Sequence, residues 1–353
     1  MTFSVIIPVW HTKIDQLNQC ISSVLQQSFK DFEVLVILDG HDNELQHTWL
    51  QQNIHDARVR VIEKEHAGVA AARNKGIDLA RGVFLFFLDS DDWFTPGLLS
   101  VAAEELAKTH ADMLIFNYSC VIYSESEKIA VRPNFLFQQP FVKIGIEKDK
   151  LCFGNICKVL VPDLNKGLMM GIGNCANRCY RREMLEQGHI RQDTSCTISE
   201  DLLFNISATA QADSVAYIPF MGYNYRLNNG SATSQYDPTV FSRVFPYFEG
   251  IRTALERIPE EFFDREKVAN TVIVNSYTRA AEQLVYTTGQ DQKRAVLNQM
   301  RKWAEQEPYA SAIRKSNAAY FTKEQNMARV FLKTKQYGLL YMLIRVKQRR
   351  QRG

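Results

Sequence analysis

The stretch FLFFLDSDDWFTP, residues 84–96, joins an unbroken apolar run to an abrupt acidic end. The run reads as a buried strand, and Asp89, Ser90, Asp91 and Asp92 follow it directly, so carboxylates crowd the strand's carboxyl end. Clustered carboxylates repel unless a positive charge sits among them. Hard divalent cations take such oxygens, and Mg²⁺ uses only one or two from protein while phosphates supply others. The chemistry indicated is a metal-diphosphate held through Mg²⁺ or Mn²⁺. The competing reading is an acidic turn that caps a helix starting near Pro96.

Upstream, Phe3–Val9, Glu33–Leu38 and Arg58–Ile62 are further short β-branched or aromatic runs. With Val83–Leu88 they predict strands buried on both faces. Between them, Ile14, Leu17, Cys20, Ile21, Val24 and Leu25 recur at helical spacing, and Val69–Ala80 is rich in alanine. This alternation predicts an α/β fold with a Rossmann-like parallel sheet, in which ligands sit beyond the carboxyl ends of the strands. The first strand ends in Pro8, Val9 and Trp10, and the second in Asp39 and Gly40. A carboxylate there can accept the N–H of a base, and an aromatic can stack on it. In EHAGVAAARNKG, residues 65–76, Gly68 opens a small-residue helix whose N–H groups can approach an anion. Arg73 adds positive charge to that helix, or is simply a solvated helix residue.

Farther along, Asp112–Tyr123 predicts a strand pair and Ser124–Gly173 an irregular, loop-forming region. Tyr180–Leu185 and Glu200–Ala212 predict helices, Ser214–Pro219 one more strand, and the pattern after about 238 is helical. The chain has 353 residues, room for two domains, and its 46% hydrophobic and 23% charged composition excludes wholesale disorder and fibrous repeats. The apolar run at 83–88 falls far short of the roughly 18–20 residues of a membrane-spanning helix. MTFSVIIPVWH lacks the basic start of a signal peptide, so the expected location is the cytoplasm. Seven cysteines, an odd number, fit reduced thiols better than a disulfide framework, and Cys152/Cys157 with Cys175/Cys179 lack paired zinc spacing. The net charge of +3 hides an asymmetry: residues 301–353 hold thirteen Lys or Arg against three Glu. Any acidic surface is met at that end.

SVIIPVW (4–10), EVLVILDG (33–40), HAGVAAARNKG (66–76) and FLDSDDWF (87–94), in this order and spacing, resemble the donor-binding half of family 2 inverting glycosyltransferases with the GT-A fold. The resemblance is strong to about residue 115 and continues more weakly to about 235. It implies a nucleotide-sugar donor, often a UDP-sugar. Asp89, Ser90 and Asp91 form the implied DxD-type triplet, with Asp91 leading the metal site, Asp89 and Asp92 supporting it, and Pro8, Asp39 and Arg73 on nucleotide-contacting positions. Two departures stand out. Leu38 replaces a common second acidic residue, and Trp10 and His11 stand where Tyr or Asn is usual.

TISEDLLFN, residues 197–205, resembles the family's Glu-Asp motif, which implies Asp201 as the base that deprotonates the acceptor hydroxyl, with Glu200 as its neighbour. Read without the family, the same residues are a helix N-cap with dipole-favourable acids. GNCANRCYRRE (173–183) resembles an acceptor-pocket segment shaped through Asn174. YNYRLNNGSAT (223–233) resembles a segment in which Arg226 closes over the diphosphate. The bare alternatives are half-buried packing for Tyr223 and Tyr225 and solvation for Arg226. The Q-x-x-R-W signature of processive synthases is absent, which favours single-sugar transfer.

Tyr337–Val346 is apolar apart from Arg345 and precedes KQRRQR. Such a segment lies on an anionic membrane surface, where each basic residue is worth about 1 kcal/mol, or is a solvated basic tail. No motif supports nucleic-acid binding. The expected organisation is a GT-A domain over 1–235, with nucleotide-sugar binding in 1–115 and the acceptor side in 116–235. A helical region with a basic tail follows over 236–353. The expected activity is metal-dependent, inverting transfer of one sugar to a glycan or lipid-linked glycan in surface-polysaccharide synthesis, at a peripheral position on the inner face of the cytoplasmic membrane. The alternatives are transfer to a polyprenyl phosphate and a silent, transferase-like scaffold.

Overall fold

Phe3–Val9, buried at every position, forms β1, and Phe32–Asp39, equally buried, forms β2. The structure, a computed structural model, describes residues 1–124, 127–137, 139–145, 147–148, 173–228, 240–260, 263–288 and 290–352. Helix α1 (Ile14–Leu25) follows β1 and buries Leu17, Cys20, Ile21 and Val24, the apolar stripe of its sequence. After β2 come α2 (Glu44–Asn53), β3 (Val59–Lys64), α3 (Val69–Leu79) and β4 (Phe84–Phe87). The short β5 (Trp93–Phe94) and α4 (Leu98–Thr109) lead into the second half of the sheet. Helix α2 escapes a reading by apolar periodicity because it buries only Gln46 and Leu50.

The later elements are β6 (Met113–Ser124), β7 (Glu127–Asn134), β8 (Phe141–Ile144), β9 (Arg178–Arg181), α5 (Arg182–Gln187), α6 (Glu200–Gln211) and β10 (Ser214–Asn228). One ten-stranded sheet runs β3-β2-β1-β4-β9-β6-β10-β5, with β7 on β6 and β8 on β10. β3, β2, β1 and β4 are mutually parallel, as are β6 and β10, while β9 runs antiparallel between β4 and β6. The chain leaves β1 toward β2 and β3, then returns to β1's other side for β4. The order therefore reverses at β1, the switch point beyond whose strand carboxyl ends open α/β sheets hold their ligands.

Small residues let α3 lie close to this sheet. A Cβ on Gly76 would stand 2.3 Å from Ile6 Cγ2, well inside contact distance.

Four expectations need correction. Asp112–Tyr123 forms one long strand, β6, rather than a pair, because Asn117 and Ser119, which could have made a turn, are buried and stay in the ladder with β10. Ser124–Gly173 supplies β7 and β8, whose largely exposed edge positions carry no buried apolar signal, while residues 149–172 lie outside the described ones. Tyr180 belongs to β9, and the helix expected there starts at Arg182. β10 continues past Pro219 to Asn228, since register shifts between Ile218 and Tyr223 carry the strand through the break.

The described residues divide into two compact units, one up to Asn228 and one from Val240 on. The second is helical, as its pattern predicts, with helices at Val240–Arg243, Phe245–Glu256, Arg265–Thr287, Lys293–Ala304, Tyr309–Lys315, Lys323–Lys333 and Tyr337–Arg352. Phe241 stacks between Trp303 and Tyr309 at 4.5 and 4.6 Å, and the Tyr277 hydroxyl donates to Met300 O at 2.5 Å. Among the described residues no helix is long and apolar enough to cross a membrane.

Candidate active site

β4 delivers the chain to a tight acidic turn in which the Asp92 N–H donates to Asp89 O at 3.0 Å. Asp92, expected beside the metal, is wholly buried instead. Its carboxylate accepts the Tyr223 hydroxyl at 2.5 Å and the Arg226 N–H at 2.7 Å, so it fastens β10 to the turn. Burial, with the charges of Asp91 and Asp89, pushes its carboxyl well above the usual range. Ser90 shares a 2.5 Å hydrogen bond with Thr12 that ties the turn to the loop after β1. Asp91 carries a carboxylate that no other described residue bonds, and burial with the Asp89 charge raises its pKa.

Arg73, in the second turn of α3, is 3% exposed, so the solvated reading fails. Its Nη2 donates to Asp89 Oδ1 at 2.6 Å and its Nη1 to Asp201 Oδ1 at 2.7 Å. One guanidinium thus joins the acidic turn to a carboxylate 128 residues beyond Arg73. Burial alone would lower the Arg73 pKa, but Asp201 and Asp89 outweigh it and hold the group firmly charged. Arg73 Nε is buried without a partner.

Two residues that the sequence reading missed complete this cluster. The Gln192 side chain is 3.4 Å from both Arg73 Nη1 and Asp201 Oδ1, accepting from the first and donating to the second. Gln192 is held in turn by a reciprocal pair of 2.8 Å bonds between its backbone and the Asn74 side chain. Cys175 donates its thiol to Asp201 Oδ1 at 3.2 Å and its N–H to Oδ2 at 3.3 Å. Burial pushes that thiol well above its ordinary pKa. Asn174, the neighbour singled out from sequence, accepts the Ala176 N–H at 2.7 Å and shapes the turn locally. Gln192 sits in a polar stretch with no periodic signal, and only the fold brings it to Asp201.

Asp201 and Glu200 open α6, whose N-cap Ser199 takes a left-handed φ of 61° and makes no side-chain cap bond. The acids are therefore not members of a capping box. Burial, then the Asp201 charge, raises the Glu200 carboxyl.

At the other rim, Pro8 and Val9 are buried in β1, and Trp10 emerges 55% exposed, stacked on His66 at 4.9 Å. Asp39 is buried and accepts the Ala67 and Gly68 N–H groups at 3.0 and 2.8 Å and Lys64 Nζ at 2.5 Å. It thereby pins the start of α3, where Gly68 takes the φ of +88° that favours glycine. Arg226 is packed rather than solvated: its guanidinium lies 5.0 Å from the Trp93 ring and 4.4 Å from the Tyr123 ring. Its Nε donates to Asp91 O at 2.8 Å, and a second nitrogen bonds Gln19.

Among the described residues, no group of three or more His, Cys, Asp or Glu side chains is arranged to hold a metal. Asp89 is paired with Arg73 and Asp92 faces the core, which leaves Asp91. A single free carboxylate with a raised pKa suits a cation that arrives on a diphosphate and takes most of its oxygens from it.

The EpsJ glycosyltransferase of Bacillus subtilis strain 168 is 26% identical over 238 residues, 65% of this chain and 62% of EpsJ. EpsH of the same organism, also named a glycosyltransferase, is 27% identical over 252 residues, 70% of this chain and 67% of EpsH. The chain thus spans about two thirds of these relatives. S. aureus TarS 1–349, solved with UDP-GlcNAc, superposes with a TM-score of 0.65 at 16% identity, over 99% of this chain and 92% of that one. This likeness supports the α/β GT-A arrangement of a largely parallel sheet followed by helices. The sequence profile described as glycosyl transferase family 2 matches residues 4–187, more than half of the chain, and the chain belongs to that family.

Proposed function

We propose that this chain is a metal-dependent, inverting hexosyl- or N-acetylhexosaminyltransferase. It moves a single sugar from a nucleoside diphosphate sugar, preferentially a UDP-sugar, to a hydroxyl of a glycan or lipid-linked glycan in surface-polysaccharide synthesis. The observation that carries this reading is the Arg73 bridge between Asp89 and Asp201. It brings the end of β4 and the start of α6 to one point, as attack on an anomeric carbon opposite a leaving diphosphate requires. The UDP preference is supported by TarS, which was solved with UDP and with UDP-GlcNAc.

In this reading Asp201 accepts the proton of the acceptor hydroxyl, through Oδ2, the oxygen that carries the fewer bonds. Arg73, Gln192 and Cys175 hold its Oδ1 in place. Asp91, with Asp89 beside it, would hold the Mg²⁺ or Mn²⁺ that comes with the diphosphate end of the donor. When bound, the cation neutralises charge building on the leaving diphosphate. Trp10 offers a stacking face for the base, while Asp39, Pro8, Val9 and Ser90 line the nucleotide's place. Arg226 fixes the backbone of Asp91, and Glu200 and Asn174 border the acceptor. Inversion follows from a single displacement. A lipid-linked acceptor places the protein peripherally on the inner face of the cytoplasmic membrane.

The test is nucleotide release from UDP-, GDP-, CMP- and dTDP-sugars with Mn²⁺ or Mg²⁺, comparing wild type with Asp91→Ala and Asp201→Asn. One donor should turn over only with metal, and Asp91→Ala should abolish that turnover. Asp201→Asn should lower transfer to a hydroxyl acceptor by about 10²–10⁴-fold. A mild Asp201→Asn effect would point to an acceptor that is already ionised, such as a polyprenyl phosphate. Absence of metal-dependent nucleotide binding across the panel would leave only the scaffold reading.

A further inference from the structure

The helices Lys323–Lys333 and Tyr337–Arg352 are joined by three residues and pack on each other and on Arg265–Thr287. Their inward faces are plain: Ala328 and Leu332 from one, and Leu340, Tyr341, Ile344 and Gln348 from the other, are buried. Their outward faces are apolar as well. Met327 and Val330 stand 42% and 39% exposed, and Leu339, Met342 and Val346 stand 44%, 58% and 46% exposed. The spacings i, i+3 and i, i+3, i+7 place each set in one stripe on its helix. A pair of neighbouring helices with solvent-facing aliphatic stripes is unusual without something to cover them.

The charge around these stripes says what covers them. Residues 323–352 hold nine Lys or Arg (323, 329, 333, 335, 345, 347, 349, 350 and 352) against the single Glu324. Not all of this charge is available. Lys347 pairs with Glu282 at 2.7 Å, and Arg345 donates to Thr288 O, the Tyr341 hydroxyl and Gln348. These two belong to the fold and are not part of a free basic tail. Lys335, in the connection between the helices, and Arg349, near the end of the second, are exposed and ion-paired with no described residue. Exposed aliphatic stripes flanked by unpaired cations have the composition of a helix seated at a lipid headgroup boundary. A second copy of this face would bring like charges together, and interface cores are depleted in Lys. Nucleic acid would leave the aliphatic side chains without a partner.

We propose that the outward face of these two helices is a docking surface for an anionic bilayer. Leu339, Met342 and Val346, with Met327 and Val330, enter the headgroup boundary, and Lys335 and Arg349 meet the lipid phosphates. The surface depends on neither the donor nor the transfer chemistry, and it gives residues to the peripheral membrane position read above.

The test is sedimentation of the full chain with vesicles of phosphatidylcholine alone and of phosphatidylcholine mixed with phosphatidylglycerol, at low and high salt. The variants are Leu339→Glu/Met342→Glu and Lys335→Glu/Arg349→Glu, with Leu45→Glu in the first unit, 67% exposed, as control. Nucleotide binding by each preparation reports that the protein is folded and the donor site intact. Wild type should bind the anionic vesicles, less so in high salt, and leave the neutral ones. Each removed cation should weaken binding by about fivefold, so Lys335→Glu/Arg349→Glu should fall by more than about tenfold. Leu339→Glu/Met342→Glu, which loses the inserted side chains and adds negative charge, should fall at least as far, while Leu45→Glu binds as wild type. Failure to bind anionic vesicles, or binding that both double variants retain, would overturn the proposal. So would an oligomer that the apolar variant dissociates while vesicle binding persists, because a second copy would then be the occupant. Loss of vesicle binding with nucleotide binding retained would leave the transferase reading untouched.

Discussion

The two oxygens of Asp201 live in unlike surroundings. Oδ1 takes bonds from Arg73, Cys175 and Gln192, while Oδ2 takes only the Cys175 N–H. A carboxylate held by one oxygen can turn the other to an incoming hydroxyl without rotating, which favours a defined line of proton transfer. Gln192 is a positioning residue in this scheme, since it acts through Arg73 and through the Oδ1 of Asp201, not the Oδ2 that takes the proton. Gln192→Leu should leave donor KM near wild type and lower kcat about tenfold, the scale of an unmade bond of 1–3 kcal/mol to a buried charged group. Steady-state kinetics on the donor found by the release panel would check this. A change confined to KM would assign Gln192 to donor binding instead. So buried a cation is tolerated because two carboxylates compensate it, and removing either leaves it with one ion pair in place of two.

At the scale of elements, the position of Arg73 depends on how closely α3 lies to β1. Alanine is the better helix former by about 1 kcal/mol, so propensity alone predicts that Gly76→Ala stabilises the protein. The contact of 2.3 Å to Ile6 Cγ2 predicts the reverse, because Ile6 is itself fully buried and has no room to yield. Gly76→Ala should lower stability by about 1–3 kcal/mol in urea unfolding, and Ile6→Ala in the same chain should return part of the loss. A midpoint at or above wild type would show that α3 can shift outward. Strand β10 has a comparable role on the other side of the acidic turn, where Tyr223 and Arg226 grip the two oxygens of Asp92. The acid most deeply placed in the DSDD turn is therefore a structural clamp, and the turn presents Asp91 because Asp92 faces inward.

For the molecule as a whole, the described residues contain no preformed metal cage. The consequence is an ordered dependence: Mn²⁺ should bind measurably by calorimetry in the presence of UDP and far more weakly without it. Chelation should leave the thermal midpoint of the nucleotide-free protein unchanged. Tight Mn²⁺ binding to the nucleotide-free chain would contradict this and require protein ligands beyond Asp91. The second unit has its own aromatic core around Phe241, Trp303 and Tyr309, and it presents an aliphatic and cationic face that the first unit's chemistry does not use.

Much of this was legible from the chain alone, and for local reasons. Runs such as VIIP, EVLVIL and FLFF set the four parallel strands, because strand burial and its punctuation by turn residues are written within a few positions. The same locality put Trp10, Asp39 and Asp89 at strand ends. Sequence could not show that Arg73 is shared by Asp89 and Asp201, that Asp92 turns into the core, or that Gln192 and Cys175 bind Asp201. It also left Arg345 and Lys347 looking like free tail charges when they are bonded within the fold. Each of these depends on which distant elements meet at the sheet edge or in the helical unit. Burial and pairing are set by that meeting, so only the tertiary structure decided them.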